Sequence, residues 1–329
     1  MCNQLRNSLR SGLKSIVLLF FVCVSQAAIA QPYPSKPIKI IVPVAAGGGT
    51  DFSARLIAQK LTESWNVPVI VENRPGGGGN VGVEAAVKSD PDGYTLVMPI
   101  TSFPVNPGMY PKLPFDSEKD LAPIVLVASA PLVLVVNPAV QASSVKELIS
   151  LAKANPGNFN YGNSGVGTTA HLAAELFKHS ANLDIVNVPY KGGGPAIADL
   201  IAGNIQIYFS TIPAALSQTK SGRINAIAVT GLKRVSEIPE VPTVAESGLP
   251  GFEVVGWFGL FAPAQTPTVV ISKLNKELVN ILQMKDVQEK LAGHGLIPGG
   301  GSPQELGQFL HTEIAKWRNL IQRAGIKSE

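Results

Sequence analysis

Short β-branched runs alternate along this chain with longer segments whose apolar residues recur at helical spacing. Residues 38–42 form the first run; a glycine turn then leads into a predicted helix at about 50–63, with Leu56, Ile57 and Leu61 on one face. A second strand is expected at 67–72, a loop at 73–80, a short helix at 81–89 ending before Pro91, and a third strand at 94–99. Residues 124–136 make a long apolar extended stretch. The pattern then restarts, with a helix at 145–154 opened by Ser143 or Ser144 and a strand at 160–162. Helix 168–179, strand 185–189, helix 194–202 and strands at 205–209 and 226–229 follow. Residues 252–262 are again apolar and extended, and 269–291 and 303–324 read as helical.

Alternation at this spacing predicts parallel sheets covered by helices. The two long extended segments bracket the second set of elements. In the simplest topology the chain leaves one α/β lobe along the first segment, builds a second lobe and returns along the other. The expected domains are 31–130 with 253–329, and 131–252, separated by a cleft. The crossings would lie near 129–133 and 254–259, where Gly256 and Gly259 are best able to absorb a dihedral change.

Three strand-to-helix junctions carry the candidate chemistry: PVAAGGGTDFSARLIAQKL at 43–61, YGNSGVGTTAHLAAELF at 161–177 and VPYKGGGPAIADLIAGNIQIYFS at 188–210. Glycines and small hydroxyl residues stand where each helix begins. Unpaired backbone N–H groups and the positive end of the helix dipole are thereby offered to an anion, without a charged side chain. In open α/β sheets ligands bind outside the carboxyl ends of the strands, so junctions of both lobes would face one cleft. Thr168 and Thr169 also read as helix caps, and Asp51 as support for the first-turn amides of its own helix. His171 reads as a packing or hydrogen-bonding residue, residues 76–79 as a flexible surface loop, and Lys191 as a solvated lysine.

The amino terminus changes the compartment. Arg6, Arg10 and Lys14 precede an apolar run at 16–24, and Ala28-Ile29-Ala30 gives the small-x-small pattern of a cleavable secretory signal. Cleavage after Ala30 would leave a mature chain starting at Gln31, in the periplasm and without cysteine, because Cys2 and Cys23 both lie in the leader. About 300 residues suffice for two domains stabilised by their own cores. Of the chain's 27 basic residues three belong to the leader, leaving 24 against 23 acidic ones and a formal charge of +1. Nucleic-acid binding therefore has no global electrostatic support.

Enzyme signatures are missing from the motifs. The spacing of Gly47-Gly48-Gly49 is wrong for a dinucleotide fingerprint and no P-loop occurs. Residues 162–166, GNSGV, lack the final glycine of a hydrolase elbow. His171, His179, His294 and His311 show no metal-ligand spacing with an attendant carboxylate. Neither a cofactor nor a metal is expected.

Eight blocks in order carry a family resemblance: PVAAGGGTD at 43–51, VENRPGGGGNVG at 71–82, PDGYTL at 91–96, NPGMYPKLPFD at 106–116, GTTAHLAAELF at 167–177, VPYKGGGPA at 188–196, VPTVAESGLPGFEV at 241–254 and GWFGLFAPAQTP at 256–267. Over its mature length the chain resembles the substrate-binding proteins of tripartite tricarboxylate transporters, the Bug family of periplasmic solute receptors. The resemblance implies a two-lobed, type II-like periplasmic binding fold for a small carboxylate or related organic solute. It also implies recognition by backbone amides, hydroxyls and bridging water, and delivery to inner-membrane transporter subunits by a monomer. A solute sensor for a membrane signalling receptor would share the fold. The expected ligand set is Val44, Ala46, Gly48, Thr50 and Asp51 from the first junction, Thr101 and Ser102 after the third strand, Ser164, Gly165, Thr168, Thr169 and His171 from the second junction, and Tyr190, Gln206 and Ser210 from the third. Val44 and Ala46 stand where the family commonly has an aromatic and a second proline, which should widen the pocket mouth. Gln206 stands where it commonly has an acidic residue, which would relax a preference for an amino group.

Overall fold

A computed structural model describes residues 33–324 except residue 166. The leader, its cysteines and the expected start at Gln31 lie outside the described residues. Residues 33–35 fall in a separate amino-terminal unit, and the fold is built by the unit that begins at Lys36.

The first β-branched run is strand β1, Ile38–Val42, followed by α1, Gly49–Trp65. Strand β2, Val69–Asn73, a short 3-10 turn at Gly77–Gly79, α2, Asn80–Val87, β3, Thr95–Val97, and α3, Asn106–Met109, complete the first set. Strand β4, Leu121–Val136, runs for 16 residues. Beyond it come α4, Val145–Ala154, β5, Asn160–Asn163, α5, Thr169–Ala181, β6, Val186–Pro189, α6, Gly193–Ala202, β7, Ile207–Thr211, α7, Ile212–Lys220, and β8, Asn225–Val229. The chain returns through β9, Val255–Pro263, and ends in α8, Thr268–Leu282, α9, Lys285–Gly293, β10, Ile297–Gly300, and α10, Pro303–Ala324.

One ten-stranded sheet holds these strands in the order β2-β1-β3-β9-β4-β7-β5-β6, with β8 and β10 also paired to β4. Strand β4 belongs to two halves. Its residues from Leu121 to Pro131 pair antiparallel with β9, whereas Leu132 to Val136 pair antiparallel with β7. β1 is parallel to β2 and β3, and β5 is parallel to β6 and β7. The fold is a two-lobed α/β fold whose lobes share one strand. Val133 to Val136 of β4 are fully buried in a core with Phe177, Phe209 and Tyr161. A second core gathers Phe103, Trp257, Phe261 and Leu310.

Local signals account for most boundaries. Ser144 caps α4 by accepting from Glu147 N, and the Glu147 carboxylate reaches back to Ser143 N at 2.7 Å, the reciprocal box that fixes a helix start. Three elements escape the sequence pattern: α3, α7 and β10. The sequence IPAALSQTK of α7 has too few apolar positions to show a helical stripe, and IPGG of β10 shows no alternation. Its strand pairing comes from β4 alone. The helix expected at 269–291 is two helices, because Met284 adopts an extended backbone between them.

The glycines expected to act as dihedral hinges lie in a closely packed part of β9. Neither Gly256 nor Gly259 has a positive φ. A Cβ on Gly256 would lie 3.2 Å from Thr101 Cγ2, and one on Gly259 would lie 2.9 Å from the Phe261 ring. Packing across β9 therefore favours glycine at both, more strictly at Gly259. The crossing itself is stapled by Thr230, a fully buried residue whose hydroxyl accepts from Leu132 N at 2.8 Å and donates to Leu132 O at 3.2 Å. Its carbonyl accepts from Val254 N, so both crossing strands are tied to one residue.

Candidate functional site

The register places the junctions. β3 runs antiparallel to β9 with Val97 opposite Phe261, so the chain leaving β3 moves toward Gly256, where Thr101 is found. Gly256 pairs with Ala130. From the other half, Thr211 at the end of β7 pairs with Leu132, and β5 and β6 run parallel to it. The carboxyl ends of β1, β2 and β3 and those of β5, β6 and β7 therefore converge from opposite directions on residues 130–132 of β4. Glycine-rich helix starts of both halves face the same crossover.

At the first junction Gly48 is the N-cap of α1 and offers no side chain, so the amides of Gly49 and Thr50 have no partner among the described residues. Asp51, 4% exposed, sits behind them. Its carboxylate accepts from Gly47 N at 3.0 Å, from Asn73 Nδ2 at 2.9 Å and from Arg55 Nε at 3.0 Å. Burial alone would raise its pKa; the bonds from Arg55, Asn73 and Gly47 outweigh it and hold the carboxyl below the ordinary aspartate value. Asn73 Nδ2 also donates to Val44 O at 3.0 Å. Asp51 and Val44 are thus parts of the clamp that shapes the loop, while Ala46, Gly47 and Gly48 form its exposed crest.

Residues 76–79 are an ordered turn. All four glycines have positive φ, from 56° to 130°, which is the reason for four in a row. Ser102 Oγ donates to Gly78 O at 2.9 Å, and Asn106 Nδ2 donates to the same oxygen at 3.2 Å. Ser102 thereby ties the segment after β3 to this turn.

Behind the second junction the loop consumes its own polar groups. Gly165 N donates to Asn163 Oδ1 at 2.7 Å, Thr168 Oγ1 donates to Gly165 O at 2.7 Å, and Gly167 N donates to His171 Nδ1 at 3.2 Å. Thr168 is the N-cap and accepts from His171 N at 3.4 Å. The Thr169 amide is left at the front of the helix without a bonded acceptor among the described residues. His171 is 4% exposed, and burial pushes its pKa below the ordinary histidine value against the pull of Glu175. The third junction comes close to the second through Tyr208, a buried residue on β7. A Cβ on Gly193 would lie 3.0 Å from its hydroxyl, and burial raises the Tyr208 pKa against the opposing pull of Ser164. Tyr190 donates to Asp199 Oδ2 at 2.7 Å, and burial together with that bond raises its pKa to about 12. Ser210 is fully buried at the carboxyl end of β7.

Gln206 is not brought to this cluster. It precedes β7 at the opposite end of the strand, where Oε1 accepts from Asn160 N at 2.8 Å and Nε2 donates to Gly203 O at 3.0 Å. Sequence reasoning missed a fourth junction, from β7 into α7, where Thr211 is the N-cap and Pro213 lies in the first turn. The proline just after a strand end was its one available signal. Pro213 also marks where the lobes touch, since a Cβ on Gly295 would lie 2.5 Å from its Cδ. The neighbouring His294 stacks on Phe52 of α1 with ring centroids 3.5 Å apart. Among the described residues no group of three metal-ligating side chains occurs, and no helix is long and apolar enough to cross a membrane.

The chain matches the model of the tripartite tricarboxylate transporter family receptor over residues 53–326. It is 38% identical over 313 residues to protein BugT of Bordetella pertussis, covering 93% of this chain and 96% of BugT. It is 37% identical over 322 residues to a protein from the tcbD-tcbE intergenic region of Pseudomonas sp. (strain P51), covering 97% and 96%. Among solved structures, Rpa4515 of R. palustris with adipate shares 35% identity at a TM-score of 0.75, covering 90% of this chain and 100% of that one. MatC of Rhodopseudomonas palustris with bound malate shares 29% identity at a TM-score of 0.71, covering 88% and 100%. With this match spanning both halves of the sheet and the junctions between them, the chain belongs to the tripartite tricarboxylate transporter family receptors, the periplasmic solute-binding proteins of the Bug type.

Proposed function

We propose that this receptor captures a small dicarboxylate or related organic acid between its two lobes and delivers it to a tripartite tricarboxylate-type transporter in the inner membrane. The observation that carries the reading is the convergence of glycine-rich helix starts from both halves of the sheet on residues 130–132 of β4. An anion there meets backbone donors and the positive ends of helix dipoles from two directions. Gly48, Thr50, Thr101, Ser102, Ser164, Gly165, Thr168, Thr169 and Tyr190 would line the site, with the fully buried Ser210 behind them. Val44 and Asp51 would shape its first loop from behind. Adipate and malate, held by the two relatives of known structure, give the chemical class its starting point. The lobes would be 31–130 with 253–329, and 131–252. The mature protein would be a periplasmic monomer beginning at Gln31, and it would return its solute chemically unaltered.

A thermal-shift panel on refolded, ligand-stripped protein tests the reading, with adipate, malate, succinate, citrate and benzoate beside their neutral amides. A ligand at 100 times its Kd adds about 2.7 kcal/mol of stability. Stabilisation by one or more acids and by none of the amides is expected. A response to the amides alone would overturn the anion site.

A further inference from the structure

Most of the second junction's polar groups cap one another, and one of the acceptors, His171 Nδ1, is titratable. Gly167 has φ +76° and Gly165 φ +129°, so the loop before α5 is built on glycine conformations and has little intrinsic preference for its shape. Thr168 binds both ends of that loop. Asn163 Oδ1 holds Gly165 N at 2.7 Å, and Gly167 N is held by the 3.2 Å bond to His171 Nδ1. This bond exists only when Nδ1 carries no proton, and the neutral ring then has its hydrogen on Nε2.

We infer that His171 is a positioning residue for the anion site: as neutral imidazole it holds Gly167 and so aims the front of α5, and on protonation it lets this loop go and the solute with it. The inference rests on the carboxylate-binding reading above. The geometry supplies the alternative partner. Glu175 stands one helical turn on, 8% exposed, with its carboxylate already accepting from the Tyr161 hydroxyl of β5. An imidazolium formed at this buried position would turn its new donor from Gly167 toward that carboxylate. The other groups packed around α5 do not compete for it. Lys316 and Arg323 of α10 line a groove with Leu176 and His179 along a different stretch of α5. Burial lowers the pKa of His171 and Glu175 opposes the shift, so the neutral form holds at pH 7 and the change falls on the acid side of the ordinary value near 6.5.

Two arms separate this inference from the function it rests on. Without ligand, NMR of protein carrying 15N-labelled histidine reads the tautomer, and amide exchange reads Gly167. The expected result is an Nε2–H ring at pH 7.5 and loss of Gly167 protection with the same midpoint as His171 protonation. A ring protonated on Nδ1, or Gly167 protection that ignores the titration, overturns the proposal whatever the protein binds. The second arm measures Kd for adipate and malate from pH 5 to 8. Wild-type affinity is expected to fall on the acid side with the midpoint of His171 protonation read in the first arm, beyond the change that the acids' own titration imposes. His171→Asn, which keeps an acceptor at the same reach but does not titrate, should vary less than threefold over that range. His171→Phe should bind more weakly than His171→Asn at every pH. A pH profile in His171→Asn matching the wild type overturns the proposal. Failure of both acids to bind at any pH counts against the carboxylate reading and leaves the first arm to decide the role of His171.

Discussion

Asp51 and Thr230 are the two single residues on which the backbone of the site most depends. The Asp51 carboxylate accepts from Gly47, Asn73 and Arg55 at 3.0, 2.9 and 3.0 Å while almost fully buried. Its folded pKa lies below the unfolded value near 3.9, so its contribution is present above that value and is lost as pH falls through the folded pKa. Asp51→Asn should cost about 1–3 kcal/mol near neutrality, the range for charge-assisted bonds left imperfectly replaced. The difference in melting temperature from the wild type should shrink below about pH 4, where the wild-type carboxylate takes up a proton. Calorimetric scans between pH 2.5 and 7 check both points. Thr230→Val removes two bonds to Leu132 inside the crossing and leaves that N–H unsatisfied. A loss of about 1–3 kcal/mol in urea unfolding is expected.

At the scale of one element, the turn at 76–79 gives an internally controlled comparison. Each of its glycines has φ between 56° and 130°, so an alanine at any of them carries a backbone cost of about 1–2 kcal/mol. Sterics then separate them. A Cβ on Gly77 would meet nothing nearer than 3.7 Å, whereas on Gly78 it would meet Tyr110 Oη at 3.0 Å and on Gly79 the Ile100 side chain at 3.0 Å. Gly77→Ala should therefore be the mildest of the three in thermal denaturation, and a Gly77→Ala variant as damaging as Gly78→Ala would contradict the ordered turn. At α5, Thr168→Ala deletes an N-cap that also binds Gly165 O, and about 1 kcal/mol of stability should go with it.

For the whole molecule the controlling quantity is the difference in affinity between open and closed lobes. Each helix end contributes up to about 2 kcal/mol to a partly buried anion. If both lobes supply such ends to one anion, as proposed, the closed form binds it better by about a few kcal/mol, which is enough to shift an open majority. A saturating organic acid from the panel should shrink the radius of gyration in small-angle scattering; no change would mean lobes that are closed without ligand. Where Gly295 meets Pro213 the lobes already touch. Gly295→Ala puts a methyl into that contact and should weaken binding while leaving the far-ultraviolet circular dichroism unchanged.

The order of the main elements, the start of most helices and the three glycine junctions were decided by the sequence alone. Each is a local matter: a capping hydroxyl at Ser144 or Thr168, a positive-φ glycine, or an apolar stripe that a few neighbouring residues define. The helix α7 and the strand β10 had no such stripe and exist because β7 and β4 hold them. Only the tertiary structure decided which residues meet. Gln206 reads as a neighbour of Ser210, yet five residues of extended β7 carry it to the far end of the sheet. Residues 76–79 read as a loose loop, yet Ser102 and Asn106, more than twenty positions away, order them. The convergence on residues 130–132 depends on which end of each strand the register of β4 turns inward. Pairing between segments a hundred residues apart sets that register, and no local pattern contains it.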